Sequence, residues 1–184
     1  MIVLTAGHTG PNSGAQCATT QFDEGAENIW LRNRIAEILT NDYGLVVLVD
    51  EDKATLQLVK KQIELDAPHI DFVIDLHFNA HSNPQARGAE TIVSDDATSL
   101  ELRFASRLAH TTSDALGIPL RCIKSESQTP HRRLAMLHLT PQSIILEVCF
   151  CTSPEDVEAY RKNREKLAAD LAWAIAELIL DKET

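Results

Sequence analysis

At 184 residues, the chain is long enough for one domain with its own hydrophobic core. The composition is that of a soluble globular protein, with 44% hydrophobic and 24% charged residues, and no segment approaches the roughly 20 apolar residues that span a bilayer. The formal net charge of -10 argues against nucleic acid or an anionic membrane as the main partner, because both favour basic surfaces.

The first residues and the cysteines bear on the compartment. Residues 1–6 lack the basic start and long apolar stretch of a secretory signal, so we expect synthesis in the cytoplasm without an export signal in this chain. The four cysteines fit no zinc-ribbon or zinc-finger spacing. They are predicted to be reduced thiols, two or three of them buried: Cys17, Cys122, Cys149 and Cys151.

Strand and helix patterns alternate from end to end, which is typical of an α/β fold. In chain order, the predicted elements are a strand at 1–6, a loop to about 22, a helix ending near Gly44, a strand at 45–49, a helix at 54–67, strands at 72–76 and 88–93, a helix at 98–115, short strands near 118–123 and 134–138, a strand at 143–148 and a helix at about 163–181. No linker or repeat interrupts this order. We therefore predict a single domain, a mostly parallel twisted sheet of about six strands with helices on both faces.

Polar side chains follow or interrupt three of these strands. His8 follows the first strand, His77 follows the strand at 72–76, and Glu147 lies near the end of the last one. If the strands are parallel, their carboxyl ends share one edge of the sheet, where open α/β folds place their ligands. Glu24 would reach the same edge from the start of the first helix.

Two imidazoles and two carboxylates are the set that a zinc hydrolase needs. Catalytic zinc usually has three protein ligands and keeps a fourth position for water, whose pKa it lowers to about 7. A further carboxylate takes the water's proton and passes it to the leaving amine. Either histidine alone is more often a hydrogen-bonded loop residue than a metal ligand. Glu147 is harder to explain in that way, because it interrupts an apolar strand and a buried carboxylate without a partner is costly.

Several short motifs surround these residues and occur in order along nearly the whole chain. They are a Gly-His loop at 4–10, small residues at 13–15, a glutamate with an asparagine four positions later at 24–28, a histidine followed by Asn-Ala at 75–80, a strand at 88–91, a strand with a glutamate at 145–150 and a Ser-Pro-Glu-Asp loop at 153–156. Together they resemble the zinc-dependent N-acetylmuramoyl-L-alanine amidases, specifically the type-3 amidase family of bacteria and their phages.

This resemblance implies a function and a role for each residue. His8, Glu24 and His77 would bind one Zn²⁺ ion, and Glu147 would be the general base. The substrate would be peptidoglycan or a muropeptide, cut between the lactyl group of N-acetylmuramic acid and L-alanine. Glu27 competes with Glu24 for the ligand role, although the spacing from Glu24 to the asparagine fits the motif better.

The chain departs from the family after the second strand. The family often has a Thr-Arg pair there and an arginine in the next helix, whereas this chain has residues 48–53 and then Lys60-Lys61. The substrate contacts that those arginines would make are therefore not expected here, and three other residues are candidates for substrate contacts. Asn79 lies in the His77 motif, and Arg132 and Arg133 would bind a stem-peptide carboxylate, the alternative being a solvated basic turn.

The predicted reaction is direct hydrolysis, with Glu147 first accepting the water's proton and then returning it to the alanine nitrogen. Three rival hypotheses are a cysteine hydrolase using Cys149 or Cys151, a non-catalytic wall-binding module of the same fold, and a zinc amidohydrolase for wall fragments or N-acyl amino acids. His138 faces the site or has a structural role. We expect a phage-type lytic enzyme that acts on the cell wall after release.

Overall fold

The computed structural model describes residues 1–9, 14, 16–17, 20–52, 54–83, 85–139 and 142–181. These residues form the predicted single α/β domain. The strands are β1 Ile2–Ala6, β2 Gln16–Cys17, β3 Phe22–Asp23, β4 Val47–Val49, β5 Phe72–Asn79, β6 Ala89–Val93, β7 Leu120–Ser125 and β8 Ser143–Phe150. The α-helices are α1 Glu24–Tyr43, α2 Leu56–Asp66, α3 Ser99–Leu116 and α4 Pro154–Leu180. Short 3-10 helices cover Ala67–His69, Glu126–Gln128 and Ala135–His138.

Six of the strands form one sheet in the order β4-β1-β5-β8-β6-β7, and β2 pairs with β3 in a small hairpin. Strands β4, β1, β5 and β8 are parallel to one another. Strand β6 pairs antiparallel with β8, and β7 pairs parallel with β6. The carboxyl ends of β1, β5 and β8 therefore meet the amino end of β6 at one edge. The prediction of a mostly parallel six-stranded sheet is confirmed.

The sheet is covered by helices on both faces, as predicted. The larger core lies against α1, α3 and α4 and includes Leu31, Phe104 and Leu171, all fully buried. On the other face, Val59 of α2 packs with Val3 of the sheet. Within the described part of the chain, no helix combines the length and the apolar character needed to cross a membrane.

The predicted strand at 134–138 is wrong, because Ala135–His138 forms a 3-10 helix. Glu126, which is 3% exposed, accepts hydrogen bonds from the backbone of Leu134 and from His138. The helix then buries Met136 and Leu137 in two different hydrophobic clusters. These contacts stabilise the segment without pairing to a neighbouring strand.

The last helix begins at Pro154, nine residues before the predicted start, and includes the Ser-Pro-Glu-Asp segment that was predicted to be a loop. Ser153 is the N-cap, and its hydroxyl accepts from the backbone of Asp156. Proline at the first helical position and acidic residues in the first turn both favour a helix start. The prediction followed only the apolar stripe further along the helix.

Candidate metal centre and active site

His8 projects from the turn that directly follows β1. The backbone N–H of Gly7 donates to Leu76 of β5, and the side chain of Asn28 on α1 donates to the Gly7 carbonyl at 2.9 Å. His8 itself has a φ of 58°, a left-handed conformation that is rare for a residue with a side chain. The sheet and α1 thus fix the peptide that carries the His8 imidazole.

Glu24 is the first residue of α1 and is 3% exposed. Asp23 caps this helix, because its side chain accepts from the backbone of Ala26. The Glu24 Oε1 atom accepts from the backbone N–H of Phe78 at 3.1 Å and lies 3.4 Å from His77 Nδ1. The capped helix start therefore holds this carboxylate against the end of β5.

His77 lies near the end of β5, and its two ring nitrogens face different carboxylates. Nδ1 faces Glu24, whereas Nε2 is 2.9 Å from Oδ2 of Asp75. The ring packs directly against Gly7, where an added Cβ atom would lie only 2.2 Å from the ring carbon Cε1. Only glycine fits at position 7 while the ring keeps this place.

The structure brings His8, Glu24 and His77 together. Each offers one potential ligand atom, and these atoms lie within 4.8 Å of one another. The two imidazole rings are nearly perpendicular, with centroids 5.0 Å apart. Ligand atoms around tetrahedral zinc are about 3.3 Å apart, so a closure of at most about 1.5 Å in any pair would complete the geometry. Two histidines and a carboxylate also match the donor set of catalytic zinc sites.

The cluster perturbs both imidazoles. Partial burial and the nearby His77 lower the pKa of His8, which keeps its ring neutral and able to bind a metal. Burial also opposes the charged form of His77, but the attraction and hydrogen bond of Asp75, together with the hydrogen bond to Glu24, outweigh burial and raise the pKa of His77. A metal ion at this cluster therefore competes with a proton for His77.

Glu147 lies beside this cluster, on the strand next to His77. It pairs with His77 across the β5–β8 ladder and with Glu90 across the β8–β6 ladder. Its Oε2 atom is buried and has no hydrogen-bond partner within the described ranges. Burial raises the pKa of Glu147 to about 7, and the negative charges of Glu24 and Glu90 add to the rise despite the attraction of His77. Such a carboxyl group can accept and release a proton near neutral pH.

Asn79 and Glu90 form an internal network next to Glu147. The Asn79 side chain donates to Glu90 Oε1 at 2.7 Å, and Arg121 and Lys124 of β7 pair with the same carboxylate at 2.6 and 2.7 Å. The Asn79 amide oxygen also accepts from the backbone of Ala80. Asn79, which was predicted to contact the substrate, therefore forms hydrogen bonds within this network.

Arg132 and Arg133 lie in the exposed turn that follows Glu126–Gln128. Neither forms an ion pair with another described residue. The charge of His131, in the same turn, contributes to lowering the pKa of His8. His138 points to Glu126, with Nε2 2.7 Å from the carboxylate, and so takes the structural role.

The alternative ligand Glu27 and the two cysteines of the rival hypothesis do not lie in the environments that their proposed roles need. Glu27 accepts from the Tyr160 hydroxyl and pairs with Arg164, whereas Glu24 faces the histidines. Cys149 and Cys151 are both fully buried, and burial raises the pKa of each thiol. A thiol that holds its proton so firmly is a poor nucleophile, which argues against the cysteine hydrolase.

Three neighbours of the site were assigned no role from the sequence: Gly7, Asn28 and Asp75. Asn28 and Gly7 were noted only as parts of motifs, and their mutual hydrogen bond depends on how α1 packs on the sheet. Asp75 did carry a signal, because an acidic residue inside the apolar run at 72–76 stands two positions before His77. Residues two apart in a strand share one face.

The fold and the site define a class: α/β domains that gather a His-Glu-His cluster and a buried glutamate at the edge of the sheet. The sequence profile of the N-acetylmuramoyl-L-alanine amidases matches residues 2–181, so the chain belongs to this family. This membership supports a hydrolase that acts on an amide bond of peptidoglycan. By sequence, no protein of curated function is a significant match.

Solved structures with the same fold are also amidases. A protein from Neisseria meningitidis assigned to this amidase class is 26% identical with a TM-score of 0.79, covering 97% of this chain and 94% of the other. The N-acetylmuramoyl-L-alanine amidase of Clostridium difficile 630 is 22% identical with a TM-score of 0.75, covering 98% and 94%. The catalytic domain of an endolysin targeting C. difficile, CD27L, is 23% identical with a TM-score of 0.71, covering 98% and 96%.

Proposed function

We propose that this protein is a zinc-dependent amidase that hydrolyses the bond between N-acetylmuramic acid and L-alanine, with one Zn²⁺ ion held by His8, Glu24 and His77. The observation that carries the proposal is the approach of their three potential ligand atoms to within 4.8 Å, beside Glu147. The family match supplies the substrate class. Bound zinc would polarise the amide carbonyl and make a water molecule more acidic.

Glu147 is the proton carrier in this proposal. Its buried Oε2 has no partner in the described part of the protein and is free to accept the proton of the attacking water. The same oxygen then donates that proton to the nitrogen of L-alanine, which leaves as an amine. In the metal-free protein, burial raises the pKa of Glu147 to about 7, which brings it into the range where a carboxyl group can both accept and release a proton at neutral pH.

The substrate reaches the site from the exposed side of His8. Arg132 and Arg133 lie in the same exposed turn as His131, whose charge acts on His8, and we propose that they attract the carboxylates of the stem peptide. We further propose a lytic role at the cell wall after release, as in phages. The match of nearly the full chain to the catalytic domain of an endolysin supports this use of the fold.

Digestion of purified peptidoglycan sacculi tests the reaction. The zinc-loaded protein should release peptides that begin with a free L-alanine amine and leave glycan strands with a free lactyl carboxylate, both identified by mass spectrometry. Release of other termini would contradict the proposed bond. Hydrolysis of soluble muropeptides or N-acyl amino acids, with sacculi left intact, would favour a fragment-degrading enzyme instead.

The role of Glu147 is tested by Glu147→Gln, which should keep one zinc ion per chain and lose about 10²-fold or more in kcat. Glu101→Gln is the matched control, because Glu101 is also a buried glutamate, 3% exposed, but caps α3 away from the site. Activity of Glu147→Gln within a few-fold of the wild type, with normal zinc content, would refute the proposed proton transfer.

A further inference from the structure

The contacts of His77 leave one ring nitrogen for a metal. A neutral imidazole has a single N–H, and its other nitrogen carries the lone pair that binds metals. The Nε2 atom lies 2.9 Å from the Asp75 carboxylate. An ionised carboxylate can only accept a hydrogen bond, not donate one. The proton therefore belongs on Nε2, and the lone pair on Nδ1 points toward Glu24.

We propose that Asp75 is a positioning residue that fixes the tautomer and orientation of His77, and that Thr5 in turn fixes Asp75. The proposal rests on the proposed function, since it presumes that His77 binds the zinc ion. Metal-binding histidines usually donate their second N–H to a carboxylate or carbonyl group, which orients the ring and makes it a stronger ligand.

The sheet itself builds this relay. Asp75 and His77 are two residues apart in β5, and Thr5 of β1 is the register partner of Asp75 in the neighbouring parallel strand. The Thr5 hydroxyl donates to Asp75 Oδ1 at 2.6 Å, so each carboxylate oxygen has one partner. The relay thus runs from β1 through Asp75 to the His77 ring.

Asp75 is buried, and no lysine or arginine among the described residues pairs with it. Asp75 is 4% exposed and Thr5 2% exposed, so water does not compete for their hydrogen bonds. Among the described residues, the only ion pair of Asp75 is with His77. A buried carboxylate without a lysine or arginine is costly, and its hydrogen-bonded ion pair with His77 offsets that cost.

The test uses Asp75→Asn in the zinc-loaded protein. Asparagine keeps the size, loses the charge and can present a donor to Nε2. Zinc affinity, measured by competition with a chromophoric chelator, should fall about 10- to 100-fold. Long-range ¹H–¹⁵N correlation spectra should show a hydrogen-bonded Nε2–H on His77 in the wild type and its loss in the variant. If Asp75 has a purely structural role, Asp75→Asn will lower thermal stability but leave the zinc affinity and the Nε2–H signal unchanged.

The second link is tested at Thr5, which also covers the case in which Asp75→Asn fails to fold. Thr5→Val removes the hydroxyl at constant shape and should weaken zinc binding about threefold to tenfold, whereas Thr5→Ser should restore it. Thr112→Val is the matched control, since Thr112 is equally buried and its hydroxyl donates to Leu108 in α3. It should leave zinc affinity unchanged.

The outcomes separate this inference from the proposed function. If the wild type binds no zinc, both are wrong. If the wild type is an active zinc amidase while Asp75→Asn and Thr5→Val bind zinc as tightly as it does, only the positioning role is refuted.

Discussion

The packing of His77 against Gly7 makes a methyl group at position 7 a sharp probe of the site. In Gly7→Ala, the new Cβ would stand 2.2 Å from the His77 Cε1 atom, whereas carbon atoms in contact are about 3.5 Å apart. The ring must therefore withdraw by about 1 Å. The Nε2–Asp75 distance of 2.9 Å has little room for this, since a contact of about 3.6 Å is no longer a hydrogen bond.

From these distances we expect Gly7→Ala to weaken zinc binding about 10- to 100-fold and to lower kcat/KM by about 10²-fold. The free energy of unfolding should fall by about 1–3 kcal/mol from overpacking. Zinc affinity is measured by chelator competition, kcat/KM with a soluble muropeptide, and stability by urea denaturation.

Gly44→Ala is the control for replacing a glycine. Gly44 ends α1 with a φ of 66°, and an added Cβ would meet nothing within 4 Å. The left-handed backbone should cost about 1–2 kcal/mol of stability in this variant, with zinc affinity unchanged. The reasoning fails if Gly7→Ala binds zinc and turns over substrate like the wild type.

Three further predictions concern stability, each measured by urea denaturation. In the metal-free protein, burial raises the pKa of Glu147 from an ordinary 4.5 to about 7, so folding takes up a proton between these pH values. The free energy of unfolding should therefore fall by about 3 kcal/mol as the pH rises from 4.5 to 7. An equal fall in Glu147→Gln would contradict this assignment. Arg32→Leu should lower the free energy of unfolding by about 3–5 kcal/mol, because it leaves the buried Asp50 carboxylate, which pairs with Arg32 at 2.8 Å, without this ion pair. A loss below about 1 kcal/mol would show that Asp50 finds another partner. Thr98→Ala should cost about 1 kcal/mol by removing the capping box that Thr98 forms with Glu101 at the start of α3, and unchanged stability would argue that the box adds nothing.

The sheet and the grouping of site residues were predictable because both follow from strand ends. His8 follows β1, and His77 and Glu147 lie near the carboxyl ends of two further parallel strands, so the parallel sheet alone brings them to one edge. The choice between Glu24 and Glu27 needed the structure. Only the packing of α1 decides which of two glutamates three residues apart faces the sheet edge and which faces α4.

The contacts that hold the site were less accessible from sequence. The bond from Thr5 to Asp75 depends on the register of two strands 70 residues apart, which no local pattern encodes. The 3-10 helix Ala135–His138 was missed because its stabilising partner, Glu126, lies outside the segment. The start of α4 was different, since Ser153 and Pro154 carried a readable capping signal.

Strands β1, β5 and β8 stand side by side in the interior of the sheet, flanked by β4 and β6. Backbone amides in such strands exchange with solvent mainly through global unfolding, whereas edge elements such as β4 open more readily. His77 and Glu147 lie in the carboxyl-terminal halves of β5 and β8, and His8 follows β1 after one residue. Fraying of the periphery would therefore leave the cluster assembled, and amide protection at residues 73–77 should persist until the whole domain unfolds.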